Sequence, residues 1–270
     1  MTKKKRKYLI ETSALPAALG ESTPAHCSHC ADAVADGNCW TSIYIRKEFI
    51  RRWIHYYIRM AFAVDYFQDL GKAMHYLEQD FSIRDVKTGL HGLALLLAEK
   101  GEIKNSHDMA KELSRLAIGN LRKFDRRFRR RTPSKCGCKI GGKELRVDFN
   151  HLFEDLRAFI DSIGEVDDCP INEFLAIGGN RLAGKLLKAR DVVSKTKSGE
   201  KLRALHDKGT PITCRLCAKI GDAVIALDQP PSWCLVHIDK DFNILCPAVG
   251  REHKPIQSER AIDTDVPKVT

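Results

Sequence analysis

Four carboxylates of this chain stand where they could share one divalent metal ion: Glu11, Glu48, Asp222 and Asp239. Glu11 and Asp239 each follow a short apolar run typical of a β-strand, and parallel α/β sheets bind ligands at the carboxyl ends of their strands. Glu48 and Asp222 each lie near the start of a helical pattern. Clustered carboxylates repel one another, and Mg²⁺ or Mn²⁺ relieves this repulsion because both ions accept hard oxygen ligands. Such a metal site can activate water for cleavage of a phosphodiester bond.

The elements that must hold these acids follow from the spacing of apolar residues. Residues 8–11 and 234–238 are predicted as β-strands, and residues 218–227 as a short helix. Apolar residues recur at helical spacing over 49–62, which predicts a long amphipathic helix that starts near Ser42. The two strands bring their acids to one sheet edge if they are neighbours.

The rest of the chain is mainly helical in pattern. Further helices are predicted at residues 70–79, 89–100, 107–128, 149–163 and 172–193. Polar or glycine-bearing composition predicts loops at 26–38 and 132–142 and a mobile surface segment at 194–209. The polar, proline-containing stretch after Glu252 predicts a poorly ordered tail.

Four short motifs around the acids resemble, in order and local context, the motifs of PIN-domain nucleases. They occupy residues 10–13, 42–48, 220–226 and 237–242. The resemblance implies a Rossmann-like parallel sheet flanked by helices, a Mg²⁺ or Mn²⁺ site held by the four acids, and cleavage of RNA in preference to DNA. Because many small members of the family are toxin ribonucleases, it also implies an antitoxin-like protein partner.

The chain departs from this family in two respects. The first acid is usually Asp in the family, and here it is Glu11. Glu48 and Asp222 are also much farther apart in the sequence than in the small members. The excess predicts a large, mainly helical insertion at 66–209 within a discontinuous PIN-like core at 1–65 and 210–250, followed by a flexible tail at 251–270.

Supporting roles follow for three neighbours of the acids. Asp241 is a further ligand or a hydrogen-bond partner of a ligand, and Ser13 and Ser42 hydrogen-bond the ligands or water.

Three of the four acids also have a purely structural interpretation. Glu48 could form a surface ion pair with Arg51 or Arg52 worth under ~1 kcal/mol. Asp222 could cap a helix, and Asp239 with Asp241 could be ordinary turn residues.

Closely spaced cysteines indicate a second metal. Zinc needs four nitrogen or sulfur ligands, which paired cysteines often supply. We expect one structural zinc that uses Cys214 and Cys217 together with two of Cys136, Cys138 and Cys169. The alternative is that these thiols are simply buried. His26, Cys27, His29, Cys30 and Cys39 form a second, weaker candidate cluster.

The charge balance favours a polyanionic partner. The formal net charge is +10 and the pI about 9.1, which favours nucleic acid first and an acidic membrane second. Basic residues crowd one helix end, with Phe124 and Phe128 among them to stack on bases: Arg122, Lys123, Arg126, Arg127, Arg129, Arg130 and Arg131. The alternative is a solvated helix face whose two phenylalanines pack inward.

The sequence favours a cytoplasmic protein that does not enter a membrane. The basic run at 3–7 precedes an apolar stretch that Glu11 and Pro16 interrupt, which is unlike a signal peptide. The longest apolar run, at 93–98, is far too short to span a bilayer.

The leading interpretation is a metal-dependent endoribonuclease. A catalytically inactive PIN-like module that binds nucleic acid or a protein partner is the alternative, and a zinc-stabilised interaction protein is a third reading. A homo-oligomer is left open.

Overall fold

The computed structural model of the chain describes residues 6–19, 24–35, 37–80, 105–128, 131–132, 135–164, 170–175 and 180–256. Contacts divide the chain into two compact units. The sheet unit comprises Met1–Ser42, Arg130–Gly137 and Pro170–Thr270, and the helical unit comprises Ile43–Arg129 and Cys138–Cys169. The helical unit therefore spans the predicted domain boundary at residue 65, and the sheet unit spans the predicted boundary at residue 209.

The described strands are β1 (Arg6–Ile10), β2 (Gly37–Ser42), β3 (Arg131–Thr132), β4 (Cys234–His237) and β5 (Glu252–Pro255). The described helices before β3 are α1 (Leu15–Leu19), α2 (Pro24–Ala33), α3 (Ile43–Phe49), α4 (His55–Phe67), α5 (Leu70–Asp80) and α6 (Ser106–Arg127). Those after it are α7 (Leu152–Ser162), α8 (Ile171–Glu173), α9 (Asn180–Lys188), α10 (Arg190–Lys195), α11 (Lys197–Asp207), α12 (Cys214–Lys219), α13 (Gly221–Asp228) and α14 (Phe242–Ala248).

A parallel sheet flanked by helices forms the sheet unit, so the predicted α/β class is confirmed. The strand order is β3-β2-β1-β4-β5, and every neighbouring pair is parallel. The strands predicted at 8–11 and 234–238 are confirmed as β1 and β4, which are direct neighbours with Leu9 opposite Leu235. Leu9, Ile10, Leu235 and Val236 are at most 1% exposed, as in a parallel sheet covered on both faces.

Three segments predicted as irregular contain regular structure. The predicted loop at 26–38 holds most of α2 and the start of β2, and the predicted tail at 251–270 begins with the edge strand β5. The predicted mobile segment at 194–209 contains α11, capped by the side chain of Thr196, which accepts a hydrogen bond from Gly199 N. Gly199 is needed there because a Cβ would lie 2.4 Å from the carbonyl oxygen of Val192. The polar, glycine-bearing composition of residues 194–209 suggested an exposed segment, but Gly199 is there because close packing requires a small residue.

The helical unit is built around α4, which packs against α5, α6 and α7. The predicted long helix is confirmed: it begins at Ile43 and runs through α3 and a π-helical turn at Ile50–Ile54 into α4. Phe49 stacks on Phe124 of α6 with ring centroids 4.8 Å apart. The helices predicted at 70–79 and 107–128 are confirmed as α5 and α6, while residues 89–100 lie outside the described residues.

Within the described residues, no helix combines the length and apolar character that crossing a bilayer requires.

Arg46 joins three segments of the helical unit. Its side chain is 1% exposed and binds the carboxylate of Asp125 through two hydrogen bonds of 2.8 Å. Its Nη1 donates to the carbonyl oxygens of Gly141 at 2.8 Å and Lys143 at 2.7 Å. A planar guanidinium can make all four bonds at once, which an ammonium group cannot do.

Replacing Arg46 by lysine is therefore expected to lower the free energy of unfolding by about 3 kcal/mol, because bonds to a buried charge are lost. Chemical denaturation measures the change. Arg115→Lys is the matched control, since Arg115 pairs with Glu112 at an exposed position, and it should cost under ~1 kcal/mol. Equal effects of the two substitutions would show that the buried arrangement of Arg46 is unimportant.

Candidate functional site

Ser13 connects the ends of the two central strands. Its backbone N–H donates to Glu11 Oε2 at 2.9 Å, and its hydroxyl donates to the same oxygen. The hydroxyl oxygen accepts from the backbone N–H groups of Ile238 at 3.1 Å and Asp239 at 3.2 Å. The donor and both acceptor positions of this hydroxyl are thus used. Two of the four predicted acids are linked through one side chain.

Glu11 is a buried carboxylate at the carboxyl edge of the sheet. It is 2% exposed, and its backbone N–H donates to the carbonyl oxygen of Val236 at 3.0 Å, which extends the pairing of β1 with β4. Burial of a carboxylate is costly unless it accepts hydrogen bonds, and Ser13 supplies two. Ser42 ends the neighbouring strand β2 and is 2% exposed.

Asp239 and Asp241 lie in the turn that follows β4. The carboxylate of Asp239 accepts a hydrogen bond from Asp241 N at 3.0 Å, so the turn interpretation describes its local geometry. Burial, followed by the nearby Asp239 carboxylate, raises the pKa of Asp241 above its ordinary value. Two carboxyl groups are therefore close enough to repel each other.

His237 fixes the backbone at this turn. It is fully buried, and its Nδ1 lies 2.8 Å from the carbonyl oxygen of Asp239. A carbonyl only accepts, so Nδ1 carries the proton and Nε2 accepts from Nδ1 of His253, 3.1 Å away. Burial lowers the pKa of His237 to about 4, which keeps the ring neutral at pH 7.

Residues in the first turn of α11 donate hydrogen bonds to the carboxylates of Asp222 and Asp241. Ser198 Oγ donates to Asp222 Oδ2 at 3.0 Å, and the backbone N–H of Lys197 donates to Asp241 Oδ2 at 3.2 Å. Asp222 lies in the first turn of α13, whose N-cap is Ile220, so the capping interpretation of Asp222 is wrong. The sequence did not single out Ser198, because its polar surroundings resembled a surface segment.

Glu48 belongs to the helical unit. It lies on α3 and is 3% exposed, so it is not a surface carboxylate. Arg52 Nη2 lies 3.7 Å from its Oε1. Arg51 instead donates to the carbonyl oxygens of Ile163 and Gly164 at 3.0 and 2.9 Å. Arg52, one of the two predicted arginine neighbours, therefore approaches Glu48.

Hydrogen bonds in the sheet unit connect the acids to shared neighbouring segments. Glu11 is linked to Asp239 through Ser13, and α11 contacts both Asp222 and Asp241. In the part of the chain that the structure describes, no three His, Cys, Asp or Glu side chains form a group that could hold a metal ion. The donors are nevertheless hard oxygen ligands oriented by neighbouring hydrogen bonds, which is the chemistry that Mg²⁺ or Mn²⁺ requires.

The cysteine-bearing segments of the sheet unit are also neighbours. Gly137, which has φ +65°, faces Pro170: a Cβ at Gly137 would lie 2.9 Å from Pro170 Cγ. The side chain of Asn172 pairs with both backbone groups of Ile212, at 2.8 and 3.2 Å. The segments around Cys136, after Cys169 and before Cys214 are therefore connected by contacts.

The candidate zinc ligands differ in position. Cys136, Cys214 and Cys217 are buried in the sheet unit, and Cys138 belongs to the helical unit. Cys169 lies outside the described residues. No disulfide joins the described cysteines. In the second cluster, Cys27, His29 and Cys30 lie on α2 and Cys39 in β2, and the side chain of His26 is outside the description.

The basic helix end does not offer aromatic rings to bases. Phe124 is fully buried and Phe128 is 1% exposed, so the predicted stacking role of these rings is wrong and they pack inward. The exposed cations of this end are Arg122, Arg126 and Arg127, with Lys123 half-buried, while Arg129 and Arg130 lie outside the described residues.

No protein-family model, curated protein or solved structure gives a significant match to this chain. The class that fold and site define is an α/β protein with hydrogen-bonded carboxylates at the carboxyl edge of a parallel sheet.

Replacing Ser13 by alanine is expected to lower the free energy of unfolding by about 2–3 kcal/mol, because two backbone N–H groups lose their acceptor. The amides of Ile238 and Asp239 should then exchange with solvent faster, which hydrogen exchange measures. Ser194→Ala is the control, since Ser194 is exposed and its hydroxyl donates to Arg190 O within its own helix. Unchanged exchange at both amides would contradict a bridging role for Ser13.

Proposed function

We propose that the chain is a PIN-like, metal-dependent endonuclease that acts on RNA in preference to DNA. One observation carries the proposal: Ser13 links the carboxylate of Glu11 to the backbone N–H of Asp239 at the carboxyl ends of adjacent central strands. Ligand sites of parallel α/β sheets form at this edge. The preference for RNA comes from the resemblance to PIN-domain nucleases.

Three acids of the sheet unit are the ligands that we propose for the metal. Glu11, Asp222 and Asp239 would hold Mg²⁺ or Mn²⁺, with Asp241 beside them, and Glu48 is added by the family pattern alone. When bound, the ion lowers the pKa of water and stabilises the leaving oxygen. The position of Asp239 and Asp241 in one turn supports a cation here, because neighbouring carboxylates repel each other.

Residues around the acids set their orientation. Ser13 holds Glu11 against the turn after β4, and Ser198 fixes one oxygen of Asp222. Such hydrogen-bond partners of metal ligands typically change metal affinity or activity 10–100-fold when removed, by rough estimate. Ser198 is therefore a positioning residue for the proposed reaction.

The interruption of the sheet unit by the helical unit supports a PIN-like core that contains an insertion. The chain leaves the sheet after β2, forms most of the helical unit, and returns at β3. The net charge of +10 favours a polyanionic substrate. The exposed arginines of α6 would contact the phosphates of the nucleic acid, while the buried rings of Phe124 and Phe128 would not stack on its bases.

One observation favours the alternative of an inactive nucleic-acid-binding module. Glu11 stands where the family usually has Asp, and here its carboxylate is buried and engaged by Ser13. A carboxylate held this way can serve the fold alone.

Cleavage assays separate the two functions. Labelled single-stranded RNA and DNA are incubated with the full chain and Mn²⁺, and we expect cleavage of RNA that Asp239→Asn abolishes, because the site loses an anionic ligand. Ser198→Ala should reduce the rate by about 10–100-fold.

The matched control is Asp191→Asn, since Asp191 is an exposed carboxylate paired with Lys195 on α10, and its loss should leave the rate unchanged. RNA binding without cleavage would support the inactive module instead, and neither binding nor cleavage would refute both functions.

We also propose that a structural zinc ion gathers Cys136, Cys214 and Cys217, whose thiols are not arranged as a metal-binding group among the described residues. The contacts of Gly137 with Pro170 and of Asn172 with Ile212 support it, because they bring these cysteine segments side by side. Burial of all three thiols suits a closed structural site. The fourth ligand, Cys138 or Cys169, is a prediction from the sequence.

Metal analysis of protein purified without added metal is expected to give about one zinc per chain. Cys214→Ala should lower this content, whereas Cys234→Ala, which removes a buried thiol from β4, should preserve it. A chelator should lower the melting temperature of the wild type, and added Zn²⁺ should restore it. A zinc-free wild type that is indifferent to chelator would rule the site out.

A further inference from the structure

The helical unit has a groove of about 640 Å³ between α4, α5 and α7. Its rim carries two of the exposed large hydrophobic side chains of the described chain, Tyr66 at 81% and Tyr76 at 41% exposure. Phe67 lies between them, with ring centroids 5.0 Å from Tyr66 and 5.5 Å from Tyr76. Soluble proteins that keep such side chains exposed together commonly use them for binding.

The rings of this rim are already ordered by one another. The ring planes of Tyr66 and Phe67 are at 90°, and those of Phe67 and Tyr76 at 52°. Side chains held in place before binding lose little conformational freedom when a ligand arrives. The volume lies within the usual range for ligand sites, about 300–1,000 Å³.

Positive charge flanks these rings. Arg59 and Arg157 line the groove, and the guanidinium of Arg157 lies 5.7 Å from the ring centroid of Phe62. Arg59 Nε donates to His55 Nε2 at 3.3 Å, and this ring nitrogen can accept because His55 is neutral at pH 7. Burial, helped by Arg59 and Arg51, lowers the pKa of His55 to about 4. Asp161 is the acid among the lining residues, so cations outnumber anions there.

We propose that this groove binds single-stranded nucleic acid, with Tyr66 and Tyr76 stacking on unpaired bases and Arg59 and Arg157 contacting phosphates. Unpaired bases expose the flat faces that aromatic rings stack on, while a duplex hides them. A protein segment could also cover aromatic rings. The two arginines and the net charge of +10 favour a polyanion over a protein segment. The choice of RNA over DNA rests on the proposed nuclease function. The proposal that the groove binds a single strand does not depend on that function.

Binding of a fluorescent 12-nucleotide RNA to the full chain tests the groove, without added Mg²⁺ or Mn²⁺ so that no strand is cut. Tyr66→Ala with Tyr76→Ala should weaken binding at least about tenfold, in line with the usual cost of losing base stacking. Phe149→Ala is the matched control, because Phe149 is 53% exposed and does not line the groove. Thermal melting verifies that each variant remains folded.

An abasic oligonucleotide of equal length separates stacking from charge. The abasic oligonucleotide should bind the wild type and the double tyrosine variant with equal affinity. Arg59→Ala with Arg157→Ala should weaken the binding of both the abasic oligonucleotide and the 12-nucleotide RNA. Base-paired RNA should bind more weakly than the single strand. Unchanged binding of single-stranded RNA by the tyrosine variant, or equal affinity for a mononucleotide and the 12-mer, would overturn the proposal.

The groove and the acidic site are tested separately. Asp239→Asn should keep the affinity for single-stranded RNA while it abolishes cleavage. Cleavage that survives together with unchanged binding in the tyrosine variant would refute the groove and leave the nuclease function standing. Tyrosine-dependent binding in a chain that never cleaves would support the groove and refute the nuclease function.

Discussion

The hydrogen bonds of the Ser13 hydroxyl determine how the two central strands end. A carboxylate buried beside an apolar sheet is strongly disfavoured unless donors surround it, and Ser13 supplies a backbone and a side-chain donor to Glu11. The same oxygen accepts from the backbone N–H groups of Ile238 and Asp239 just beyond the end of β4. The Ser13 hydroxyl therefore both accepts hydrogen bonds from the backbone and holds the carboxylate of Glu11 in place.

A second layer of polar contacts builds on this edge. The turn fixed by His237 presents Asp239 and Asp241, and α11 reaches this turn through the backbone of Lys197. Ser198, which follows Lys197 on α11, donates a hydrogen bond to Asp222 on α13. The helical unit uses the same principle at Arg46, where one guanidinium joins α3, α6 and the turn after Gly141. In both units, segments distant in sequence are joined by hydrogen-bonded polar side chains, which are buried at Ser198 and Arg46 and half-buried at Ser13.

Prediction from the sequence succeeded where local pattern and burial agree. The strand β1, the long helix through α4, and α6 all have apolar residues at the spacing of their own secondary structure. It failed at α11 and β5. The burial of Ser198 and Gly199 depends on neighbours such as Val192, and β5 is an exposed edge strand that ends at a proline, with little apolar signal. The inward packing of Phe124 and Phe128 likewise depended on a partner helix.

The sequence by itself determined the α/β class, the position of Glu11 and Asp239 at strand ends, and the presence of paired cysteines. These properties follow from periodicity and residue type, which act over a few positions. The tertiary structure decided that β1 and β4 are neighbours, that Ser13 and Ser198 hold the acids, and that Tyr66 and Tyr76 share a groove. Each of these depends on segments that are distant along the chain, because a hydrogen bond or ring contact needs both partners in place.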